Sequence, residues 1–158
     1  MPEVTLRPMT AGEYREYLDR AIPAYANEVQ RNAGIGRPEA LRHAERVFED
    51  LLPDGVTTRG HRLLLAFDAT TAAKVGLLWV AEQRREGAPV GWIYDIEVEE
   101  TLRGRGYGRA LMVHAEEQAR AMGVMRLELN VFGDNPVARS LYESLGYVEM
   151  SRQLYKDL

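Results

Sequence analysis

Cysteine is absent from this 158-residue chain, and histidine occurs only three times. Without cysteine the chain has no disulfide, no thiolate metal ligand and no cysteine nucleophile, and its redox compartment stays undetermined. His43, His61 and His114 are scattered without the short spacing of a metal-binding motif. We therefore expect neither a metal ion nor covalent thiol catalysis.

Long apolar runs and an excess of positive charge are also lacking. No apolar segment approaches the roughly 20 residues that cross a bilayer, and the N-terminal segment Met1–Arg7 has no apolar signal-peptide core. The formal net charge is −4 and the isoelectric point is near 5.5, whereas general nucleic-acid-binding proteins are usually basic. We expect a cytoplasmic protein whose partners include neither a membrane nor nucleic acid.

The chain does have the size and composition of one globular domain. Its length is sufficient for a hydrophobic core without covalent staples. The hydrophobic fraction is 46% and the charged fraction 28%, which are ordinary values for a globular protein. No repeat, low-complexity segment or linker interrupts it, so we predict a single domain over residues 1–158.

The most informative segment is a loop rich in glycine and arginine. The run Trp92–Glu99 before it alternates with a period of two, as a strand does. After the loop, apolar residues recur at helical spacing as far as Gly123, which is placed to end a helix. The sequence therefore predicts a strand, a glycine loop and a helix. The loop consists of Arg103, Gly104, Arg105, Gly106, Tyr107 and Gly108, and Arg109 follows it.

The alternation in the strand before the loop predicts two faces. One face carries the apolar side chains, and the other carries three carboxylates close to the loop. The expected apolar face is Trp92, Tyr94, Ile96 and Val98, and the expected acidic face is Asp95, Glu97 and Glu99.

Such a loop is suited to binding an anion. The first amides of a helix lack partners within it and lie at the positive end of its dipole, and glycines let the backbone approach phosphate oxygens closely. Arg103, Arg105 and Arg109 add positive charge and forked donors, so the expected ligand carries a pyrophosphate. A simple strand-to-helix turn with solvated arginines is the alternative that the loop alone leaves open.

The spacing of the glycines separates this loop from other phosphate loops. A Walker loop needs Lys-Ser/Thr after its last glycine, and a dinucleotide fingerprint needs G-x-G-x-x-G near the start of a βαβ unit. This loop reads G-x-G-x-G and comes late in the chain. A nucleotide or dinucleotide binder is therefore disfavoured.

The loop resembles the acyl-CoA loop of the GNAT superfamily of N-acetyltransferases, Gln/Arg-x-x-Gly-x-Gly/Ala, position by position over Arg103–Gly108. Downstream, Asn135–Tyr147 resembles the family's second motif, Asn-x-x-Ala-x-x-Leu-Tyr-x-x-x-Gly-Phe, with Tyr147 in place of the usual Phe. Asn135 and Pro136 are also a favoured N-cap and first residue of a helix. The resemblance is close over the second half of the chain and limited to element order in the first.

The resemblance implies an α/β (mixed α+β) fold: a GNAT-like, mostly antiparallel sheet with helices on both faces, in the order β-α-α-β-β-β-α-β-α-β-β. Residue patterns alone predict α/β or α+β. A capping box at Thr10 opens the first helix, which Pro23 is expected to kink or divide, and a second helix is predicted from Pro38. Strands are predicted at Val4–Pro8, Leu63–Phe67, Val75–Ala81, Trp92–Glu99, Met125–Phe132 and Arg152–Lys156.

The resemblance also implies the chemistry, which is transfer of an acetyl group from acetyl-CoA to a primary amine within a ternary complex and without a metal. Tyr142 matches the family's usual general acid toward the CoA sulfur. An alkyl ammonium, with a pKa of about 10.4, must lose a proton before it reacts. In the family a carboxylate on the strand before the loop often serves as the base, so we rank Glu97 first and Asp95 second. A solvated or salt-bridged carboxylate face is the alternative for both.

The implied contacts with acetyl-CoA extend beyond the loop. Ile96 and Val98 would offer backbone groups to the pantetheine arm, which adds to the sheet like an extra strand in this family. Asn135 and Tyr142 would also contact the cofactor. The full set of expected cofactor-binding residues is Ile96, Val98, Arg103, Gly104, Arg105, Gly106, Tyr107, Gly108, Arg109, Asn135 and Tyr142.

The acceptor and the oligomeric state stay open. The amine belongs to a small molecule, an amino acid, an antibiotic, or a peptide or protein, and a homodimer is an open alternative to a monomer. The competing class of protein is a non-catalytic acyl-CoA-binding sensor or interaction module on the same fold. Tyr142 and the strand carboxylates favour the enzyme, since a pure sensor needs neither.

Overall fold

The computed structural model describes residues 1–131, 135–154 and 156. The chain divides into two compact units, Met1–Glu128 and Leu129–Leu158, so the single domain over residues 1–158 stays a prediction. Two short 3-10 turns lie at Gly55–Thr57 and Glu100–Leu102. In chain order the helices and strands are β1 (Val4–Pro8), α1 (Ala11–Ala33), α2 (Arg37–Leu51), β2 (His61–Asp68), β3 (Lys74–Arg85), β4 (Ala88–Val98), α3 (Tyr107–Ala121), β5 (Leu127–Leu129) and α4 (Pro136–Ser144).

Within the described residues, five strands form one sheet in the order β1-β2-β3-β4-β5. β1 pairs with β2, β2 with β3 and β3 with β4, all antiparallel. Antiparallel neighbours can be connected by short turns. Between β4 and β5 the chain instead passes through α3. The predicted class, a mixed and mostly antiparallel sheet with helices, is confirmed.

Helices cover both faces of the sheet in the first unit. On the opposite face from α1 and α2, Ala66 of β2 packs with Ala110 and Leu111 of α3. Successive strand residues point to opposite faces, so the two cores draw on alternate positions of the central strands. Each fully buried large apolar side chain contributes about 1.5–3 kcal/mol relative to exposure. The core beneath α1 and α2 consists of Met9, Tyr17, Phe48, Leu52, Leu63, Leu65, Leu77 and Trp79.

The first helix begins at the predicted capping box. The amide of Glu13 donates to Thr10 Oγ1 at 3.2 Å, and the amide of Thr10 donates to Glu13 Oε2 at 2.8 Å. The helix then continues through Pro23 to Ala33, so the predicted division does not occur. It ends where Gly34 takes the left-handed conformation with φ of 66°, as a glycine after a helix commonly does.

The hairpin between β3 and β4 has longer strands and a shorter turn than predicted. Only two residues connect the strands, Glu86 with φ of 50° and Gly87 with φ of 86°. Two positive φ angles define a type I′ turn, whose twist matches that of paired strands. β4 therefore begins at Ala88, four positions before the predicted start at Trp92.

The C-terminal strands are the least complete part of the prediction. β5 covers Leu127–Leu129 of the predicted strand 125–132, whose last residue, Phe132, lies outside the described residues. The predicted final strand, 152–156, includes Tyr155, which also lies outside them. Its described residues, 152–154 and 156, carry no regular secondary structure. In the second unit the predicted helix α4 is present.

Candidate active site

A β-bulge in β4 shapes the site. Trp79 of β3 lies opposite Asp95, but the next residue, Val80, lies opposite Ile93, so Tyr94 is an extra residue in β4. The ring of Tyr94 stacks on that of Trp79 at a centroid distance of 4.5 Å, on the face that α1 covers. The predicted strict alternation, which put Tyr94 on the face opposite Asp95, is wrong here. Bulges of this kind re-aim side chains next to active sites.

Asp95 is a partly buried carboxylate held by the first helix. Its Oδ2 accepts a hydrogen bond from the Tyr17 hydroxyl at 2.8 Å. Burial, together with the nearby charge of Glu97, raises the pKa of Asp95 to about 6, although the Tyr17 hydrogen bond opposes the rise. Burial and the Asp95 charge raise the pKa of Tyr17 in turn. The pair is thus a neutral phenol donating to a carboxylate that titrates close to neutral pH.

Glu97 follows Asp95 by two positions and is partly exposed. Its Oε2 lies 3.3 Å from Nη1 of Arg20 in α1. Tyr17 and Arg20 are three residues apart and therefore lie on one side of α1. The same helix face thus contacts both carboxylates that sequence analysis ranked as bases.

A cleft of about 270 Å³ lies at the end of β4 beside Glu97. A second ion pair, Lys74 Nζ to Glu99 Oε1 at 3.0 Å, borders it. A Cβ at Gly76, in the floor of the cleft, would lie 2.1 Å from the Glu97 carbonyl oxygen, so only glycine fits there. The charged lining consists of Arg20, Lys74 and Arg103 together with Glu97, Glu99 and Glu100.

The glycine loop leads directly into α3, as predicted. Gly104 and Gly106 have φ angles of 76° and 89°, a region that favours glycine. Gly106 is the N-cap residue, and the first helical hydrogen bond runs from the amide of Ala110 to its carbonyl at 3.2 Å. The amides of Tyr107 and Gly108 come before this first hydrogen bond and have no acceptor within the helix. No acidic residue lies in the first turn of α3, so the positive end of its dipole is not opposed there.

The side chain of Tyr107 ties the start of α3 to the end of β2. Its hydroxyl donates to Asp68 Oδ2 at 2.7 Å. The other oxygen, Oδ1, accepts the amides of Thr70 and Thr71 at 3.0 and 2.7 Å. The Tyr107 hydrogen bond, followed by those from Thr71, lowers the pKa of Asp68. This carboxylate therefore fixes both the β2–β3 turn and the first turn of α3.

The end of β4 extends past the short strand β5. The amide of Gly91 donates to the Arg126 carbonyl at 2.8 Å, which locates the pairing with β5 at the beginning of β4. A three-residue strand spans roughly 10 Å, so β5 ends before Ile96. Nε of Arg103 donates to the Val98 carbonyl at 3.3 Å. This bond holds the first residue of the loop against the end of β4.

Two predicted site residues belong to the second unit. Asn135 is the N-cap of α4, and its Oδ1 accepts the amide of Ala138 at 3.1 Å. Tyr142 is half-buried in α4, and burial raises the pKa of its hydroxyl. Its ring lies 6.0 Å from that of Tyr147. The N-cap prediction is confirmed, whereas the assigned roles of both residues stay predictions.

The first unit thus brings Asp95, Glu97 and the arginine–glycine loop to one end of β4. The sequence patterns did not predict that Arg20, Asp68 or Tyr17 belongs to the site. The i, i+3 spacing of Tyr17 and Arg20 was the one available signal. Within the part of the chain that the structure describes, no group of His, Asp and Glu could hold a metal ion. Nor does any described helix have the length and apolarity to cross a membrane.

Comparison with known proteins defines the class. The Acetyltransferase (GNAT) family model matches residues 36–147, which is well over half of the chain. The chain belongs to the GNAT family of acetyltransferases, and the protein is an acyltransferase enzyme.

Individual relatives support this membership. The Bacillus subtilis (strain 168) protein named "Uncharacterized N-acetyltransferase YycN" is 35% identical over 156 residues, which cover 98% of this chain and 99% of that protein. The crystal structure of YycN matches with a TM-score of 0.86 at 33% identity, covering 99% of each chain. A mycothiol acetyltransferase from Beutenbergia cavernae is 31% identical over 142 residues, covering 90% of this chain but 43% of that protein.

Proposed function

We propose that the protein transfers the acetyl group of acetyl-CoA to a primary amine by direct transfer within a ternary complex. The observation that carries the proposal is the position of Glu97. It lines a cleft at the end of β4 that also contains Arg103, the first residue of the glycine loop. A proton acceptor and an anion-binding loop therefore meet at one place.

The residues of the first unit fit acetyl-CoA. The start of α3 combines amides that precede the helical ladder, no acidic residue in the first turn, and open space around Gly104, where an added Cβ would meet no heavy atom within 4 Å. Arg103, Arg105 and Arg109 add positive charge for a pyrophosphate. Backbone groups of Ile96 and Val98 would hold the pantetheine arm by strand addition. When bound, acetyl-CoA supplies a thioester, an activated acyl donor.

Glu97 is proposed as the base that takes a proton from the ammonium of the acceptor. An alkyl ammonium has a pKa of about 10.4 and is almost fully protonated at neutral pH. Glu97 borders the cleft, whereas Asp95 is partly buried and held by Tyr17. Asp95 is therefore the second candidate, although its raised pKa of about 6 suits proton transfer near neutral pH.

Tyr142 is proposed to donate a proton to the departing sulfur. Its raised pKa keeps the hydroxyl protonated at neutral pH, and a protonated phenol is a competent general acid. Asn135 is proposed to contact the cofactor in addition to capping α4. Both assignments rest on the match of Asn135–Tyr147 to the family's second motif.

Two measurements test the proposal. Calorimetry should show that CoA binds far more tightly than NAD, because the loop spacing suits CoA and not a dinucleotide. A panel of primary amines should then yield an acetylated product, detected by mass spectrometry, with release of CoA thiol. Equal and very weak binding of CoA and NAD would defeat the cofactor assignment. Tight CoA binding without turnover on any amine would instead favour an acyl-CoA sensor.

A further inference from the structure

Glu97 is half of an ion pair and not an isolated carboxylate. Arg20 lies 3.3 Å from it, and Lys74 lies 3.0 Å from Glu99. The lining of the cleft therefore balances three cationic side chains against three carboxylates. A polycationic acceptor would meet Arg20 and Lys74 as repulsive neighbours. The arrangement suits an acceptor that carries both signs of charge.

The Arg20–Glu97 pair has the dimensions of an α-amino acid. In such a molecule the ammonium nitrogen and a carboxylate oxygen are on the order of 3 Å apart by standard bond lengths, close to the 3.3 Å between Arg20 and Glu97. Placed alongside the pair, the ammonium faces Glu97 and the carboxylate faces Arg20. Four charges then alternate in sign around a ring, and the guanidinium offers forked donors to the carboxylate.

We propose that the acceptor is a small zwitterion, either an α-amino acid or another molecule that carries its amine and its carboxylate on the same carbon. Glu97 would hold its ammonium, and Arg20 would hold its carboxylate. This inference rests on the proposed function. The cleft of about 270 Å³ is smaller than the roughly 300–1,000 Å³ of sites for drug-sized ligands. Its size therefore also favours a small acceptor.

The other two cations of the cleft lie beside groups other than the proposed base. Lys74 pairs with Glu99, and Arg103 donates to the backbone carbonyl of Val98. Arg20 is the cation next to the proposed base, and its helix is fixed to β4 by the Tyr17–Asp95 hydrogen bond. This hydrogen bond thus holds the backbone of α1 at Arg20 beside β4 at Glu97, and both side chains extend into the cleft.

The reaction balances with the residues already named. The nitrogen–carbon bond forms as the carbon–sulfur bond breaks. The ammonium loses two protons. The first passes to Glu97, which then releases it to solvent. The Tyr142 hydroxyl protonates the departing sulfur, and the second proton from the nitrogen restores that hydroxyl, so one proton is carried by the CoA thiol and the net reaction releases one. The products are an N-acetyl amino acid and CoA.

The experiment compares each of several L-amino acids with its own amide as acceptor, in the wild type and in Arg20→Gln. Removing a charged hydrogen bond to the carboxylate should lower kcat/KM for the acid about 10–100-fold more than for its amide, because the loss of the partner of Glu97 affects both acceptors equally. Comparing the two proteins on one acceptor cancels the intrinsic reactivity of each amine. Arg20→Lys keeps the charge without the fork and should restore part of the loss.

Arg120→Gln is the matched control. Arg120 forms an exposed pair with Glu116 on α3 at 3.0 Å, so the variant changes net charge equally but leaves the cleft intact. Its kcat/KM should equal that of the wild type on both acceptors. Circular dichroism verifies that each variant is folded.

Calorimetry of the amino acid and its amide in the presence of CoA gives a readout independent of turnover, and Arg20→Gln should weaken binding of the acid more than that of the amide. Equal losses for acid and amide, or wild-type preference for a diamine over amino acids, would overturn the inference while the proposed acetylation stands. If no amine were turned over, the proposed function would be contradicted. The same titration would then still decide whether Arg20 recognises a carboxylate.

Discussion

Replacing Asp95 by Asn should stabilise the protein, and only above about pH 4. The carboxyl has its pKa raised from 3.8 to about 6 by folding, so the native state holds the proton more tightly than the unfolded chain does. A carboxyl whose pKa is raised by folding makes its full contribution to the free energy of unfolding below its unfolded pKa. That contribution is lost as the pH rises through the folded pKa. Asn removes the titration and still offers an oxygen to the Tyr17 hydroxyl.

The magnitude follows from the shift. About two pKa units at 1.36 kcal/mol per unit amount to about 3 kcal/mol. The free energy of unfolding of Asp95→Asn should therefore match that of the wild type near pH 4. It should exceed the wild-type value by about 3 kcal/mol above pH 6, with the difference growing between these limits.

Urea unfolding at a series of pH values between 4 and 8 measures this difference, because both proteins share every other titrating group. Asp19→Asn, at an exposed aspartate of α1, is the matched control and should give a flat difference. A pH-independent difference for Asp95→Asn, or a wild type more stable than the variant above pH 6, would refute the reasoning about burial.

Two further variants test the cofactor site and the proton donor. Tyr107→Phe removes only the hydrogen bond to Asp68, so we expect CoA binding to weaken several-fold while kcat at saturating acetyl-CoA is kept; unchanged CoA affinity in calorimetry would mean that this bond does not position the loop. Tyr142→Phe keeps the ring and removes the proton donor, so turnover should fall by roughly 10²–10⁴, the usual range for general acid–base catalysis, at constant CoA affinity. A full-rate variant in a steady-state assay would make Tyr142 a packing residue.

The strand, loop and helix around the glycines were predictable because each carries a local signal. Gly104 and Gly106 take positive φ angles that glycine adopts without the steric cost of a Cβ, and the change of period from two to helical spacing marks the loop. The capping box at Thr10 is equally local. These features depend on neighbours within a few positions, which a single sequence contains.

Tertiary packing explains where the prediction fails. A proline within a helix costs about 3 kcal/mol or more, yet α1 continues through Pro23 because the helix is anchored on both sides by buried residues, Tyr17 before it and Ala26 after it. The bulge at Tyr94 is a mismatch between two strands, so the alternation of one strand does not reveal it. Intrinsic helix and strand propensities predict structure only weakly where such tertiary contacts act.

The acceptor side of the site depends on contacts between distant parts of the chain. Tyr17 bonds Asp95 across 78 positions, and Arg20 reaches Glu97 across 77. No periodicity links residues so far apart, so the carboxylates were predictable from the sequence whereas the cation that accompanies them was not. The predicted acidic face is therefore accompanied by cations, since the cleft beside Glu97 is lined by three cationic side chains and three carboxylates.

The pH dependence of kcat in the wild type and Glu97→Gln tests the central claim most directly. On an amine that the panel identifies, with the product verified by mass spectrometry, the variant should be slow at neutral pH. It should regain rate as the pH approaches the pKa of the amine, since free amine then needs no base. An unchanged pH–rate profile in Glu97→Gln would contradict the assignment of this carboxylate as the proton acceptor.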